Sequence, residues 1–292
     1  MGEYKLMKFC SPLRYPGGKG KLADFFYTII EENNLYDGHY VEPYAGGASI
    51  ALSLLFYEYV SRIIINDFDR SIYAFWYSAL NKTQELCDLI LKTKVTLSNR
   101  KKCKDIQKTK KKSSLLNLGF STFFLNRTNR SGIINGGVIG GKSQEGQWKI
   151  DARFNKKDLI ERIKRIADYK DRIEVYNLDA CELLQRLKKA LPKKTLFYFD
   201  PPYYLEGKKL YVNYYNHQDH AIVARKVKSL NKFNWIVSYD NREEIKTLYS
   251  DYRRLEYSLT YTASKIIKGS EVMFFDDRLK LPSIKGSVGM NQ

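Results

Sequence analysis

Cysteine and histidine are scarce in this chain of 292 residues. The four cysteines (Cys10, Cys87, Cys103, Cys181) are widely spaced and never form a CxxC pair, which argues against a zinc ribbon and a disulfide scaffold. The three histidines, His39, His217 and His220, do not cluster at zinc spacing, so no metal is expected, and His220 reads as a structural or helix-start residue. Nothing approaches the roughly 18 consecutive apolar residues of a membrane helix. The N-terminal MGEYKLMKFCSPLRY has no apolar run like that of a secretory signal. The expectation is a soluble cytoplasmic protein without a membrane partner. No internal repeat is present, and there is no GxGxxG. The glycine turn Pro16-Gly17-Gly18-Lys19-Gly20-Lys21 lacks a phosphate loop's leading glycine, and Lys19 is followed by Gly20 rather than Ser or Thr. That argues against an ATPase.

Acidic residues are also in short supply. Lys and Arg number 50 against 32 Asp and Glu, a net charge of +18. Residues 81–160 hold 18 of the former and 6 of the latter, so two thirds of the excess lies in that block. A concentrated basic region suits a polyanion such as DNA or RNA. Hydrophobic residues at 43% and aromatics at 14% exclude global disorder.

The pattern along the chain is α/β. A strand at His39–Glu42, a glycine turn, a helix at Ala48–Tyr59 and a strand at Arg62–Ile65 predict a parallel sheet. From Ile72 the character changes. Ile72, Phe75, Trp76, Ala79 and Leu80 share one helical face, lysine runs follow, and residues 126–148 read as a long loop or glycine-rich hairpin. Helical pattern returns at Lys157–Ala167. The α/β pattern resumes with strands at Arg172–Asn177, Thr195–Phe199 and Asn234–Val237, helices at Ala180–Ala190 and Asp219–Leu230, and an antiparallel hairpin over 252–276. A discontinuous α/β domain (1–71 and 172–292) is thus expected to carry a basic, mostly helical insertion (72–171).

Three constellations carry chemistry. Glu42-Pro43-Tyr44-Ala45-Gly46-Gly47 closes a strand and opens a helix, where glycines let the backbone approach a ligand. Asp67 ends the next strand 20 residues after Gly47, a spacing at which an acid can accept from both ribose hydroxyls. Asp200-Pro201-Pro202-Tyr203 follows an apolar strand. Its prolines stiffen the turn and remove two amide donors. The Asp200 carboxylate and a proline carbonyl are then acceptors for an exocyclic amine, and Tyr203 offers a face to a planar base.

The order Arg14-Tyr15-Pro16-Gly17-Gly18-Lys19, Val41–Gly47, Asn66-Asp67, Asp200-Pro201-Pro202-Tyr203 resembles the Dam-type (D12 class, alpha group) DNA adenine-N6 methyltransferases over about 11–276. The resemblance implies a Rossmann-like S-adenosylmethionine-dependent methyltransferase sheet with helices on both faces and a target-recognition insertion. It places Tyr15 and Lys19 beside the methionine part of S-adenosylmethionine, Glu42, Pro43, Tyr44 and Gly46 around the cofactor, Asp67 on its ribose and Asp179 on its adenine amine. The product is S-adenosylhomocysteine, and no metal is needed. Phe124-Leu125-Asn126-Arg127 resembles the family's Asn-Arg segment, whereas Thr128–Gly141 does not match the Dam hairpin, so the target sequence stays open. The resemblance further implies DNA methylation in a bacterial or phage-infected cytoplasm at the nucleoid, by a monomer, beside or without a separate restriction endonuclease.

Double-stranded DNA is the expected partner. Lys101, Lys102, Lys104, Lys110, Lys111 and Lys112 are candidate phosphate contacts. Asn126, Arg127, Asn129, Arg130 and Asn135 sit in or beside the glycine-rich stretch and are candidates for reading bases. Asp200 and the Pro201 carbonyl would favour a pyramidal, more nucleophilic N6, and a base buried in a duplex must flip out to reach them. The competing classes are a methyltransferase acting on RNA or a protein amide, which would usually carry Asn in place of Asp200, and a non-catalytic DNA-binding relative.

Overall fold

Five short strands rich in branched and aromatic residues run parallel: β1 (His39–Glu42), β2 (Arg62–Asn66), β3 (Ile173–Tyr176), β4 (Leu196–Phe199) and β5 (Asn234–Asp240). A hairpin of β6 (Arg253–Thr262) and β7 (Ile266–Phe275) adds to β5 through antiparallel β7, and the two-residue β8 (Met290–Asn291) pairs with β6. The sheet order is β3-β2-β1-β4-β5-β7-β6-β8. The computed structural model describes residues 10–14, 19–187, 190–204, 215–262, 266–282 and 290–291. Most of the C-terminal stretch after Leu281 lies outside them.

The sheet grows outward from β1 in both directions, so the order reverses between β1 and β4. Loops leaving the carboxyl ends on either side of such a switch point diverge and leave a crevice, the usual ligand site of an open α/β sheet. The strand order and the helices on both faces make the fold Rossmann-like.

Alternation along the strands sorts side chains to two cores. Tyr40, Ile63, Ile65, Leu196, Tyr198 and Ile236 face one side, packing with α1 (Ala23–Glu32) and α2 (Ser49–Phe56). Val41, Ile64, Phe197, Phe199, Trp235 and Val237 face the other, covered by α8 (Ala180–Leu187), α9 (His217–Lys228) and α10 (Glu243–Leu248). Strands buried on both faces read as continuous apolar runs, and these do.

The segment between β2 and β3 folds as α3 (Arg70–Asn81), α4 (Thr83–Lys92), α5 (Leu97–Lys108), α6 (Leu115–Thr128) and α7 (Lys156–Asp168). Its apolar residues, including Phe75, Trp76, Phe120, Phe123 and Phe124, join the first core without a break. The insertion is therefore seated on the sheet layer by shared burial. α3 and α6 approach so closely at Gly119 that a Cβ there would lie 2.4 Å from the Ala74 carbonyl oxygen. Asp69 caps α3 by accepting from the Ser71 amide at 3.0 Å, an interaction worth about 1 kcal/mol.

β5 and α6 run past their expected ends for tertiary reasons. β5 continues to Asp240 rather than Val237, because Ser238, Tyr239 and Asp240 pair with Met273, Val272 and Glu271 of β7. α6 continues through Thr128 rather than giving way to loop at 126. Its last polar turn is bonded to residues 12–14, and a tight turn at Arg130–Gly132 follows, closed by a bridge between Asn129 and Val138.

Candidate active site

The carboxyl ends of β1, β2 and β3 form one half of the crevice. Gly46 takes φ = 46°, in the left-handed region that glycine adopts at no steric cost, and its amide donates to Asp67 Oδ2 at 3.0 Å. Asp67 Oδ1 accepts from the Asp69 amide at 2.9 Å. Both carboxylate oxygens are thus aimed by backbone. Burial, then the charge of Asp69, pushes the Asp67 carboxyl up to about 7. Trp76 of α3 donates its indole N–H to the Gly46 carbonyl at 3.0 Å, so the insertion helps hold the turn. Buried Asn66 joins three strand ends, donating to the carbonyls of Pro43 (2.9 Å) and Leu178 (3.0 Å) and accepting from the Leu178 amide (2.9 Å). Asp179 lies half-buried at the end of this row and accepts from the Cys181 amide at 2.8 Å. Phe68, beside Asp67, is 58% exposed, an apolar face at the rim that sequence reasoning passed over.

Glu42 lies deeper, 4% exposed, accepting from the Tyr40 hydroxyl (3.1 Å) and the Ala51 amide (3.2 Å); burial pushes its carboxyl up to about 8. Tyr44 is half-buried, with its hydroxyl 3.2 Å from that of Tyr215.

The ends of β4, β5 and β7 form the other half. Asp200 is the first residue beyond β4. Its Oδ1 accepts from Ser238 Oγ at 2.6 Å and lies 3.3 Å from Lys19 Nζ. Ser238 Oγ also lies 2.7 Å from the Tyr198 hydroxyl. Burial raises the Asp200 carboxyl, and the Lys19 ammonium opposes that rise. Lys19 is 4% exposed. Burial works against its charge, but Asp200 and Glu271 outweigh that and hold it well above the usual lysine range. Lys19 Nζ is 3.0 and 3.1 Å from the two Glu271 oxygens and 3.4 Å from the Tyr203 hydroxyl. The Tyr204 amide donates to Asp240 Oδ1 at 2.8 Å, pinning the turn that carries Pro201, Pro202 and Tyr203.

The structure therefore gathers Glu42, Pro43, Tyr44, Gly46, Asp67 and Asp179 along β1–β3, and places Lys19 with Asp200 and Tyr203. Tyr15 lies outside the described residues. Sequence reasoning missed Ser238 and Glu271. The one available signal for Glu271 was an acid followed directly by the apolar run Val272–Phe275.

The candidate DNA contacts divide. Lys101, Lys102, Lys111, Lys112, Arg130 and Asn135 are exposed, and Lys104 is half-buried. Three others are corrected by their burial. Asn126 accepts from the Arg14 amide at 2.7 Å and donates to the Gly132 carbonyl at 2.9 Å. Arg127 donates to the Pro12 carbonyl at 2.7 Å. Asn129 donates to the carbonyls of Ile133 (2.9 Å) and Ile134 (2.8 Å) and accepts from Arg100 at 2.7 Å. Their polar groups are spent inside the protein, tying the turn to α5 and to the segment before Lys19. Lys110 is also engaged, at 2.9 Å from Asp69 Oδ1. A cleft of about 330 Å³ opens beside this pair, lined by Lys104, Lys108, Lys110 and Asn135.

Among the described residues, no three His, Cys, Asp or Glu lie together as metal ligands, and no helix is long and apolar enough to cross a membrane.

A family model for D12 class N6 adenine-specific DNA methyltransferase matches residues 15–263. No curated protein matches the chain in sequence. Among solved structures, a proposed RNA methyltransferase from Pyrococcus horikoshii aligns over 93% of this chain and 92% of that one, at 9% identity and TM-score 0.44. An rRNA methyltransferase from Streptomyces viridochromogenes aligns over 89% and 86%, at 13% identity and TM-score 0.40. The fold assignment rests on the strand order, not on these distant likenesses.

Proposed function

The chain belongs to the D12 class of N6 adenine-specific DNA methyltransferases, and from that premise we propose that it methylates N6 of an adenine flipped out of double-stranded DNA. The observation that supports this reading is the placement of Asp200-Pro201-Pro202-Tyr203 at the end of β4, across the switch point from Asp67 and Asp179.

The β1–β3 half fits S-adenosylmethionine. Gly46 has no side chain to block close approach, both Asp67 oxygens are aligned by amides to accept from vicinal hydroxyls, and Phe68 presents an open apolar face beside them. Asp67 would hold the ribose and Asp179 the adenine amine, with Tyr44 and Pro43 lining the space between. When bound, S-adenosylmethionine supplies the methyl group as a sulfonium substituent and leaves as S-adenosylhomocysteine.

The protein's contribution to the reaction is at N6. The lone pair of an adenine amine is delocalised into the ring. Hydrogen bonds from its two N–H groups to Asp200 and the Pro201 carbonyl favour a pyramidal nitrogen, and the Asp200 charge stabilises the positive charge that develops there. Ser238 and Lys19 hold Asp200 in place, so it need not reorganise. Tyr203, with its hydroxyl anchored, offers its ring to the flipped base.

The insertion would supply the DNA surface. Lys101, Lys102, Lys111 and Lys112 are free to meet phosphates, Lys104 lines the cleft, and Arg130 and Asn135 stand on the exposed turn where base edges can be reached. The test offers the protein S-adenosylmethionine carrying a radioactive methyl, with duplex DNA, RNA and protein as acceptors. Label in N6-methyladenine of duplex DNA is expected. Label confined to RNA or protein, or none, overturns the reading.

A further inference from the structure

Glu271 lies on β7, 1% exposed, opposite Asp240 on β5 and Tyr257 on β6. A buried carboxylate is costly unless paired and hydrogen-bonded, and this one is saturated. Oε1 accepts from the Tyr203 hydroxyl at 2.7 Å and from Lys19 Nζ at 3.1 Å. Oε2 accepts from the Tyr257 hydroxyl at 2.5 Å and lies 3.0 Å from Lys19 Nζ. One carboxylate thus grips both the cation that touches Asp200 and the hydroxyl of the ring that follows the two prolines.

We propose that Glu271 is the positioning residue of the methyl-transfer site: it fixes the Tyr203 ring and draws the Lys19 ammonium toward itself, leaving Asp200 a strong acceptor for the target amine. The inference rests on the functional reading above. Lys19 is the only cation bonded to Asp200 or Glu271 among the described residues, and it lies closer to Glu271 than to Asp200. If Asp200 held that ammonium alone, it would be a tightly paired ion with less charge to offer N6. Sharing keeps Asp200 aligned by Ser238 without neutralising it.

The groups whose charge or hydrogen bonds act on Asp200 are Lys19, before α1; Tyr40 and Glu42 on β1; Tyr198 on β4; Ser238 and, more weakly, Tyr239 on β5; and Glu271 on β7. Replacing Glu271 by Gln removes one negative neighbour of Asp200 and releases Lys19 to it; the remaining groups stay. Both changes favour the ionised form of Asp200. In a folded Glu271→Gln variant the acid limb of the pH profile should therefore move to lower pH, while kcat should fall by about ten- to a hundredfold, because Asp200 is then tightly paired with Lys19 and the Tyr203 hydroxyl loses its anchor. Cofactor Kd should change by less than about threefold, since three strands, β1, β4 and β5, separate β7 from β2, at whose end Asp67 lies. Glu271→Asp keeps the charge and should keep the native acid limb with part of the activity. The Glu271→Gln loss should be smaller in a Tyr203→Phe background, where one of the contacts is already gone.

The profiles are measured on the acceptor that the wild-type protein methylates, with thermal unfolding and circular dichroism to show that each variant is folded. A folded Glu271→Gln variant with wild-type kcat overturns the proposal, as does a loss of kcat with an unmoved acid limb. Failure of the wild-type protein to methylate adenine in DNA strikes the functional reading instead. Should Glu271→Gln fail to fold, Glu271→Asp decides: a moved acid limb overturns the proposal, and a native limb with reduced kcat supports it.

Discussion

Asp67 and Asp200 both lie just past the carboxyl end of a strand, on either side of β1, and their surroundings differ. Asp67 accepts from two backbone amides, and the strongest charge acting on it is that of another acid, Asp69. Asp200 accepts from a serine hydroxyl and touches an ammonium. The first arrangement aims a carboxylate at neutral hydroxyls and needs no countercharge. The second keeps a carboxylate beside a reaction in which a nitrogen becomes positive. On the proposed reading, one sheet edge separates holding a cofactor from assisting chemistry: the backbone aims one acid, and side chains from β5 and β7 tune the other.

The largest effect is expected at Asp200. Asp200→Ala removes the charged acceptor for N6 and should lower turnover by about 10²–10³-fold, as loss of one electrostatic group from a preorganised site does. Cofactor affinity, measured separately by calorimetry, should stay within about threefold. A variant that turns over at a near-normal rate, or that loses cofactor and turnover together, would merge the two halves that the structure separates.

Asp67→Ala should do the reverse. It removes a charge-assisted acceptor, worth about 1.5–3 kcal/mol, so Kd for S-adenosylmethionine should rise by about ten- to a hundredfold with turnover at saturation little changed. Because burial pushes the Asp67 carboxyl from 3.8 up to about 7, affinity in the wild-type protein should improve as pH rises through about 7, and Asp67→Asn should flatten that dependence. Stability runs the other way. The folded chain binds a proton at Asp67 that the unfolded chain has lost, so this group's contribution is present below pH 3.8 and is lost as pH rises through about 7. A cofactor affinity independent of pH across neutrality would show that Asp67 is charged throughout.

Much of this contrast was legible in the chain. The strands announce themselves as short apolar runs, and Asp67 and Asp200 stand where those runs stop. Ser238 and Glu271 were not legible as neighbours of Asp200, because β5 reaches it through parallel pairing with β4, and β7 through antiparallel pairing with β5, in both cases between segments distant in sequence. Asn126, Arg127 and Asn129 misled for a related reason. Near glycines, a polar residue that bonds backbone inside a turn has the same sequence signature as one that faces a nucleic acid. Lys110 belongs to a lysine run, yet its partner Asp69 lies 41 residues earlier.

Neutralising Lys101, Lys102, Lys111 and Lys112 should leave both acids untouched. Binding to all duplexes should weaken alike, by about tenfold at moderate salt, and each lost phosphate contact should remove about 0.9 from the slope of log affinity against log salt. Arg130→Ala or Asn135→Ala should instead change which duplexes in a library are methylated, at about 1–3 kcal/mol of discrimination per base contact. An altered site preference in the lysine variant would erase the distinction between phosphate and base contacts.

The smallest effect is expected where the insertion meets the cofactor half. Lys110 pairs with Asp69, whose amide donates to Asp67, and its charge favours the ionised form of Asp67 as the weakest of several influences. Lys110→Ala should raise the Asp67 carboxyl further, moving the pH midpoint of cofactor affinity upward and weakening binding by about twofold near pH 7 and by almost nothing once Asp67 is fully ionised. Asp69→Asn should move the midpoint the opposite way, because it removes the like charge beside Asp67 while an asparagine can still cap α3. Calorimetric titration of each variant across neutral pH reads both shifts. If both midpoints stay in place while Lys110→Ala weakens DNA binding with a reduced salt slope, then Lys110 serves phosphates and Asp67 is tuned by burial and its own turn alone.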